Sequence, residues 1–179
     1  MPSRDVWSPG AGGVLGDILG AAIVGLALRS DVGSPVYFSS PWITDFPIFT
    51  NRFREFAALF PERADEDEIR LSDCLVRLAR DREVRIITSS TKESLAFLKD
   101  ARFGGFGISS RLASAGYHEK GILGPGIYIE GSMNITYSGV YINKEKVTVH
   151  VGSDTEAGAR IAAAYLEFDR HWSSLDADA

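Results

Sequence analysis

The sequence predicts a single α/β domain in which a mixed β-sheet is flanked by helices on both faces. Strand-like segments alternate with segments of helical periodicity through the first half of the chain, and strand-like segments cluster between residues 117 and 151. The length of 179 residues lies near the middle of the single-domain range. One domain over residues 1–179 is therefore the simplest organisation.

Composition excludes several classes of protein. Hydrophobic residues make up 45% and charged residues 24%, which is typical of a chain that folds around a core. A single cysteine, Cys74, cannot form an internal disulfide, and the three histidines do not complete a zinc-ligand pattern with it. We expect neither a metal ion nor a cofactor. The lone thiol and the lack of a signal peptide favour the cytoplasm.

The apolar segment 14–28 predicts a buried helix rather than a membrane span. It is about 15 residues long where a span needs about 20, and it contains Asp17. Gly16 and Gly20 lie one turn apart, so another element could approach the helix closely there. A dimer contact is one explanation of this pair, and ordinary helix packing within the domain is the preferred one.

Periodicity places the remaining elements. The predicted strands are rich in β-branched and aromatic residues and cover 35–43 (ending near Ser39), 84–88, 117–123, 127–132 and 146–151. The other predicted helices have apolar residues three or four positions apart and cover 46–60, 69–78, 89–101 and 155–171. Segments 61–68 and 102–110 are predicted loops. The apolar face of helix 46–60 would hold Phe49, Phe53, Phe56, Ala57 and Phe60, and that of helix 155–171 would hold Ala162, Tyr165, Leu166 and Phe168.

A hairpin around Gly124-Pro125-Gly126 carries the residues best suited to chemistry. His118 and Lys120 are two positions apart before the turn, so both side chains leave the same face of an extended segment. Ser132 and Asn134 have the same relation after it. An imidazole that can attack phosphorus, with an ammonium, a hydroxyl and an amide that can donate to phosphate oxygens, makes a good anion site.

This pattern resembles the HxK…GSxN signature of phospholipase D-like phosphodiesterases. His118-x-Lys120 matches its first half, Gly131-Ser132-Met133-Asn134 its second, and Asn143-Lys144-Glu145 its downstream element. The match covers residues 117–151, and outside this motif region only the order of elements agrees. The resemblance implies the phospholipase D-like fold and a metal-independent phosphodiesterase.

The resemblance also implies a mechanism and an assembly. His118 would attack the phosphodiester to give a phosphohistidine, a second motif's histidine would protonate the leaving oxygen, and water would complete hydrolysis. Lys120, Ser132 and Asn134 would stabilise the phosphoryl oxygens, and Glu145 would orient His118. Because the sequence contains one copy of the motif, a homodimer would be needed to bring two histidines together.

One position departs from the pattern and leaves alternatives open. The family has an aspartate about five residues after the lysine, and Pro125 stands there in this chain. A catalytically degenerate module that binds nucleic acid or protein is the first alternative. Phospholipid hydrolysis is the second, because members of the superfamily cleave lipids, DNA or RNA with similar sites.

Short single-motif bacterial members of the family are more often nucleases, which favours nucleic acid, and DNA in particular, as the substrate. The segments PWITDFPIF (41–49) and GSMNIT (131–136) also resemble a phospholipase D-like protein of bacterial gene clusters that modify DNA with deazaguanine. That resemblance implies a role in restriction or defence with partner proteins. Partners would also offset the net charge of −5, which opposes attraction to a polyanion.

Other polar and aromatic residues have simpler explanations. An isolated histidine is more often structural, and His150 and His171 are predicted to lack the polar neighbours that single out His118. Tyr37, Ser39 and Ser40 follow or end a predicted strand and could line a cleft, although serines there also form turns. Trp42 and Phe46 are more often core or interface residues than stacking platforms.

Overall fold

The fold is built on a mixed sheet of seven strands, described in a computed structural model that covers residues 3–10, 12–29, 33–100, 103–152 and 155–176. The strands of the described residues are, in chain order, β1 (Arg4–Trp7), β2 (Val36–Ser39), β3 (Pro47–Thr50), β4 (Glu68–Arg70), β5 (Val84–Ser89), β6 (Ile108–Ala113), β7 (Gly121–Gly124), β8 (Ile127–Gly131) and β9 (Lys146–Val151). The large sheet has the order β1-β9-β8-β7-β2-β5-β6, while β3 and β4 pair separately.

The sheet is parallel on one side and antiparallel on the other. Strands β2, β5 and β6 run parallel, whereas β2 pairs antiparallel with β7, and β7, β8, β9 and β1 continue antiparallel. Parallel neighbours need long crossover connections, which the helical segments supply, and antiparallel neighbours can be joined by tight turns. This division accounts for the alternating elements of the first half and the clustered strands of the second.

Helices cover both faces of the sheet, as predicted. They are α1 (Val14–Leu28), α2 (Leu71–Ala79), α3 (Lys92–Leu98) and α4 (Thr155–Ser174). Successive residues of β2 point to opposite faces: Phe38 belongs to the core under α1, α2 and α3, and Tyr37 belongs to the core under α4. The predicted fold class is confirmed.

Helix α1 has the bounds that its sequence predicts. A Cβ added to Gly16 would lie 2.3 Å from Cε1 of Tyr141, and one added to Gly20 would lie 2.8 Å from Cε1 of Phe49. Both glycines therefore make room for rings of the same domain, which is the packing explanation preferred from the sequence. None of the described helices is both long and apolar enough to cross a membrane.

The predicted helix 46–60 is wrong. Its first part is strand β3, and the rest is a chain of turns in which Phe53 is 86% exposed. The buried side chain of Asn51 fixes these turns: its amide donates to the carbonyls of Arg63 and Glu66, and its oxygen accepts from the Phe56 N–H at 3.0 Å. The helical spacing arose because aromatic rings of a strand and a loop pack into one cluster.

Several boundaries also differ from prediction. Ile108–Ala113 form edge strand β6 where a loop was expected up to residue 110. Hydrogen-bonded pairing with β5 outweighs the loop tendency of the glycine-rich segment just before this strand. Ile69 lies in β4, so α2 begins only at Leu71. Helix α3 is shorter than predicted, since the Thr91 hydroxyl caps it by accepting from the Ser94 N–H; residues 101 and 102 lie outside the described residues.

The buried face of α4 is also different from the one predicted. Tyr165 and Phe168 do face the sheet, but Ala162 and Leu166 are exposed. The stripe that is buried runs through Ala157, Ile161, Ala164, Phe168 and Trp172. Strand β1 was not predicted at all, because an edge strand of four residues with one half-buried position gives no clear periodicity.

Asp45 fastens the start of α2 to the loop after β2, and this contact predicts a pH-dependent stability. Its carboxylate accepts from Arg70 Nε at 2.6 Å and from the Ser72 N–H at 3.0 Å. Burial acts to raise the pKa of Asp45, but the Ser72 and Arg70 hydrogen bonds outweigh it and hold the pKa below its usual value. A depressed pKa stabilises the fold above about pH 4, and the contribution is lost as pH falls through the folded-state pKa.

We expect Asp45→Asn to lower the free energy of unfolding by about 2 kcal/mol at pH 7, because hydrogen bonds to a half-buried charge are lost. The difference from the wild type should shrink as pH falls below about 4, because the unfolded wild-type carboxyl is protonated first and the folded one only at still lower pH. Urea unfolding at pH 7 and pH 3 measures both. Asp65→Asn is the control, since its ion pair with Arg54 is exposed and should contribute little.

Candidate active site at the open end of the hairpin

The β7–β8 hairpin brings the two halves of the motif to one place. Its turn is Pro125-Gly126, with Gly126 at φ 71°, as a proline–glycine turn of this kind requires. At the other end Gly121 pairs with Glu130, so the segment before β7 and the segment after β8 lie side by side. His118 and Lys120 lie in the first segment, just outside the strand in which they were predicted, and Ser132 and Asn134 lie in the second.

His118 and Lys120 are in direct contact. The Lys120 ammonium lies 3.2 Å from Nδ1 of His118 and donates to the His118 carbonyl at 2.9 Å. The imidazole is exposed, so a substrate can reach it. In this contact Nδ1 is the acceptor, and the proton of the neutral ring is therefore on Nε2.

Ser132 and Glu145 form a second group. Gly131 has φ 152°, and a Cβ there would lie 2.2 Å from the Lys146 carbonyl, so glycine is required for β8 to end beside β9. The Ser132 N–H then donates to that carbonyl at 2.9 Å. The Ser132 hydroxyl donates to the Glu145 carboxylate, which also accepts from the Asn143 amide at 3.3 Å.

Asn134 is held from the end of β2. The buried Ser40 hydroxyl lies 3.3 Å from Oδ1 of Asn134, donates to the Trp42 carbonyl at 2.7 Å, and accepts from the Ile135 N–H at 3.1 Å. The backbone of Thr44 completes the junction by donating to the Ile135 carbonyl. This junction connects the carboxyl end of a central strand with the GSxN segment.

The site therefore consists of contacts within pairs rather than one continuous network. His118 contacts Lys120, Ser132 contacts Glu145, and Asn134 contacts Ser40. Among the described residues Glu145 makes no hydrogen bond to His118, so its orienting role stays a prediction. The arrangement offers an exposed imidazole with an adjacent cation, and hydroxyl and amide groups at the same end of the hairpin.

Tyr37, Ser39 and Ser40, the three predicted candidates for lining a cleft, are all buried. Ser39 hydrogen-bonds the Tyr117 hydroxyl, and Ser40 contacts Asn134. Tyr37 is fully buried against α4. The signal that could have identified the supports was the position of two consecutive serines at the carboxyl end of a central strand, where polar side chains reach neighbouring loops.

The two other histidines have polar partners, contrary to expectation. Buried His150 stacks on Tyr128 and lies 2.8 Å from a Glu130 carboxylate oxygen. Burial acts to raise the pKa of Glu130, but hydrogen bonds from Arg160 and His150 outweigh it and keep that pKa low. His171 contacts Glu119 and Tyr117. His150 is thus a satisfied structural residue, whereas His171 adjoins the site.

Many arginines are neutralised locally and do not form a free basic groove. Arg54, Arg77, Arg80 and Arg85 each form an ion pair with an aspartate or glutamate, and Arg111 donates to carbonyls at the end of α4. Within the described ranges there is no group of three or more His, Cys, Asp or Glu side chains that could hold a metal ion.

No protein-family model and no curated protein matches the sequence. Solved structures do match. Nuc from Salmonella typhimurium, a phospholipase D family member, has a TM-score of 0.61 at 15% identity, over 99% of this chain and 97% of Nuc. The chain has the phospholipase D-like fold. NucT from Helicobacter pylori gives a TM-score of 0.56 at 16% identity, over 99% of this chain and 100% of NucT.

A longer protein contains the same fold as one part. Phosphatidylserine synthase from Haemophilus influenzae has a TM-score of 0.56 at 13% identity, over 98% of this chain but 39% of that enzyme. At these identities the similarity establishes the phospholipase D-like fold, and the chemistry has to be argued from the residues of this chain.

Proposed function

We propose that this phospholipase D-like chain is a metal-independent phosphodiesterase, with nucleic acid and specifically DNA as its substrate. The observation that carries the proposal is an exposed His118 beside Lys120, with Ser132 and Asn134 at the same end of one hairpin. These four residues are the ones that match the phospholipase D-like motif in the sequence. The similarity to Nuc over nearly its whole length supports the same assignment.

The proposed reaction takes place in two steps. In the first, the imidazole lone pair of His118 forms a bond to phosphorus while the bond from phosphorus to the leaving oxygen breaks, and that oxygen takes a proton from a second imidazole. In the second, the second imidazole accepts a proton from water, whose oxygen replaces His118 on phosphorus. Lys120, Ser132 and Asn134 donate to the phosphoryl oxygens.

A homodimer supplies the second imidazole. The chain holds one copy of the motif, and His118 faces solvent rather than another described histidine. Two chains related by a twofold axis would place two His118 rings on opposite sides of one phosphate. The two copies then exchange the roles of nucleophile and general acid according to which ring attacks.

Pro125 lies far from His118 and Lys120 along the hairpin, so its presence does not argue against catalysis. It is at the turn of the hairpin, and the five residue steps from Lys120 span roughly 16 Å of extended chain. Replacing the family's aspartate with proline there changes the turn and leaves His118, Lys120 and Ser132 in place. This position weakens the alternative of a degenerate binding module.

Partner proteins are part of the proposal for a DNA substrate. The net charge is −5, and many arginines are already paired with carboxylates, so long-range attraction to DNA is weak. A defence or restriction system could supply recognition through other subunits. The resemblance of the segments PWITDFPIF and GSMNIT to a protein of deazaguanine modification clusters supports that role.

The test is turnover in chelator together with capture of the intermediate. We expect hydrolysis of bis(p-nitrophenyl) phosphate and of single- or double-stranded DNA to continue in EDTA. Mass spectrometry after a denaturing quench at alkaline pH, where a P–N bond survives, should find a phosphoryl group that still carries one ester on His118. DNA binding without turnover and without a phosphohistidine would favour the binding module. Turnover of phospholipid vesicles but not of DNA would favour the lipid hydrolase.

A further inference from the structure

The residues on both sides of His118 are anchored to the body of the domain, while His118 itself is exposed. We infer that Ser39, Tyr117, Glu119 and His171 form a brace that positions the nucleophile. The inference rests on the proposed function and extends it to residues outside the motif. Two of the four, Ser39 at the end of β2 and His171 in α4, are far from His118 in the sequence.

The first anchor is a hydrogen bond between two hydroxyls. The Tyr117 hydroxyl meets the Ser39 hydroxyl, and Ser39 is completely buried at the carboxyl end of β2. Burial raises the pKa of Tyr117, so its hydroxyl stays protonated over the working range and the bond persists. A tyrosine directly before His118 is thus tied to a central strand of the sheet.

The second anchor comes from the last turns of α4. The His171 ring packs edge-to-face against Tyr117, with ring centroids 5.2 Å apart, and its Nδ1 lies 3.4 Å from a carboxylate oxygen of Glu119. Glu119 directly follows His118. Both chain neighbours of the nucleophile therefore contact a single histidine of the helix on the opposite face of the sheet from α1.

A brace is needed because the backbone around His118 has little regular support. Residues 114–120 lie between β6 and β7 and belong to neither strand; one turn, from the Tyr117 N–H to the Ser114 carbonyl, supports the segment. Glu145, which the family would use to hold the ring, bonds Ser132 instead. Apart from the contact between His118 and Lys120, the contacts of the flanking side chains fix the direction in which His118 projects. A misplacement of about 1 Å at a reacting group can cost about 100-fold in rate.

Tyr117→Phe tests the brace, and Tyr165→Phe is its matched control. Tyr165 donates to the Pro35 carbonyl at the start of β2, so each variant removes one tyrosine hydroxyl hydrogen bond at opposite ends of that strand. With bis(p-nitrophenyl) phosphate, we expect Tyr117→Phe to lower kcat about 10-fold to 100-fold with KM changed less than about threefold. Tyr165→Phe should keep wild-type kcat, and both variants should lose similar thermal stability.

A second variant and a second readout make the result independent of turnover. Ser39→Ala should lower kcat as Tyr117→Phe does, and the double variant should be no slower than the slower single variant, because both remove one interaction. In protein labelled at histidine, the NMR signals of the His118 ring should shift or broaden in Tyr117→Phe and stay unchanged in Tyr165→Phe.

The outcomes separate the two hypotheses. Equal kcat in Tyr117→Phe and Tyr165→Phe with unaltered His118 signals would overturn the brace while leaving the phosphodiesterase proposal standing. A wild-type protein without turnover would overturn the proposed function, and the brace would then be judged on the His118 signals alone.

Discussion

Replacing His118 with alanine is expected to lower the proposed phosphodiesterase activity by about 10⁴-fold or more, to the background of the assay. The variant removes the proposed nucleophile, and no other described histidine is placed to substitute: His150 is buried, and His171 is committed to Tyr117 and Glu119. Because the side chain is exposed, the melting temperature should change little. Steady-state hydrolysis in EDTA and a thermal melt measure the two effects.

The same variant tests whether the active site is shared between the two chains of a homodimer, as proposed. If each site needs one His118 from each chain, a mixed dimer of wild type and His118→Ala is inactive. An equal mixture, after subunit exchange, should then retain about one quarter of the activity of the same total amount of wild type, whereas independent monomers would retain about one half. Retention of half, or a monomer in sedimentation at assay concentration, would refute the shared site.

Gly131→Ala is expected to destabilise the fold by about 4 kcal/mol and to abolish turnover in the protein that still folds. Alanine at φ 152° strains the backbone, and its Cβ would lie 2.2 Å from the Lys146 carbonyl, which belongs to the backbone of β9 and cannot turn away. Relief requires β8 and β9 to separate, which would displace Ser132 and its contact with Glu145.

The control for this variant is Gly105→Ala. Gly105 also has positive φ, 84°, but a Cβ there would meet no atom within 4 Å. It should cost only about 1 kcal/mol, from backbone strain alone, and leave kcat unchanged. Chemical unfolding of both variants, with turnover measured under native conditions, separates two effects. One is the backbone strain that both variants share, and the other is the steric clash with the Lys146 carbonyl, which only Gly131→Ala has. Similar losses in the two variants would show that the contact with Lys146 does not matter.

The sequence predicted those elements whose conformation is set by residues close together in the chain. The helix of residues 14–28, strand β9 and the hairpin were predictable from apolar runs and from the turn at Pro125-Gly126. The helical prediction for residues 46–60 failed because Asn51, through contacts with carbonyls more than ten positions away, holds the chain in turns. No local period carries that information.

The placement of the two motif halves at one end of a hairpin was predictable because their spacing in the sequence is itself local. What supports them was not: Ser39 and Ser40 reach Tyr117 and Asn134 across separations of 78 and 94 residues. The position of Glu145 in the phospholipase D-like motif predicted that it would orient His118. In the folded chain its carboxylate instead accepts hydrogen bonds from Ser132 and Asn143. Which polar atoms meet depends on how strands and loops are stacked.

By itself the sequence determined which groups are available for chemistry, namely one imidazole, one ammonium, a hydroxyl and an amide arranged around a tight turn. The tertiary structure alone decided their environment. It exposed His118, buried His150, and brought His171 of α4 beside the segment that carries His118. The physical reason is that spacing along the chain fixes the direction of nearby side chains, whereas burial and long-range partners are set by the packing of the sheet between its helices.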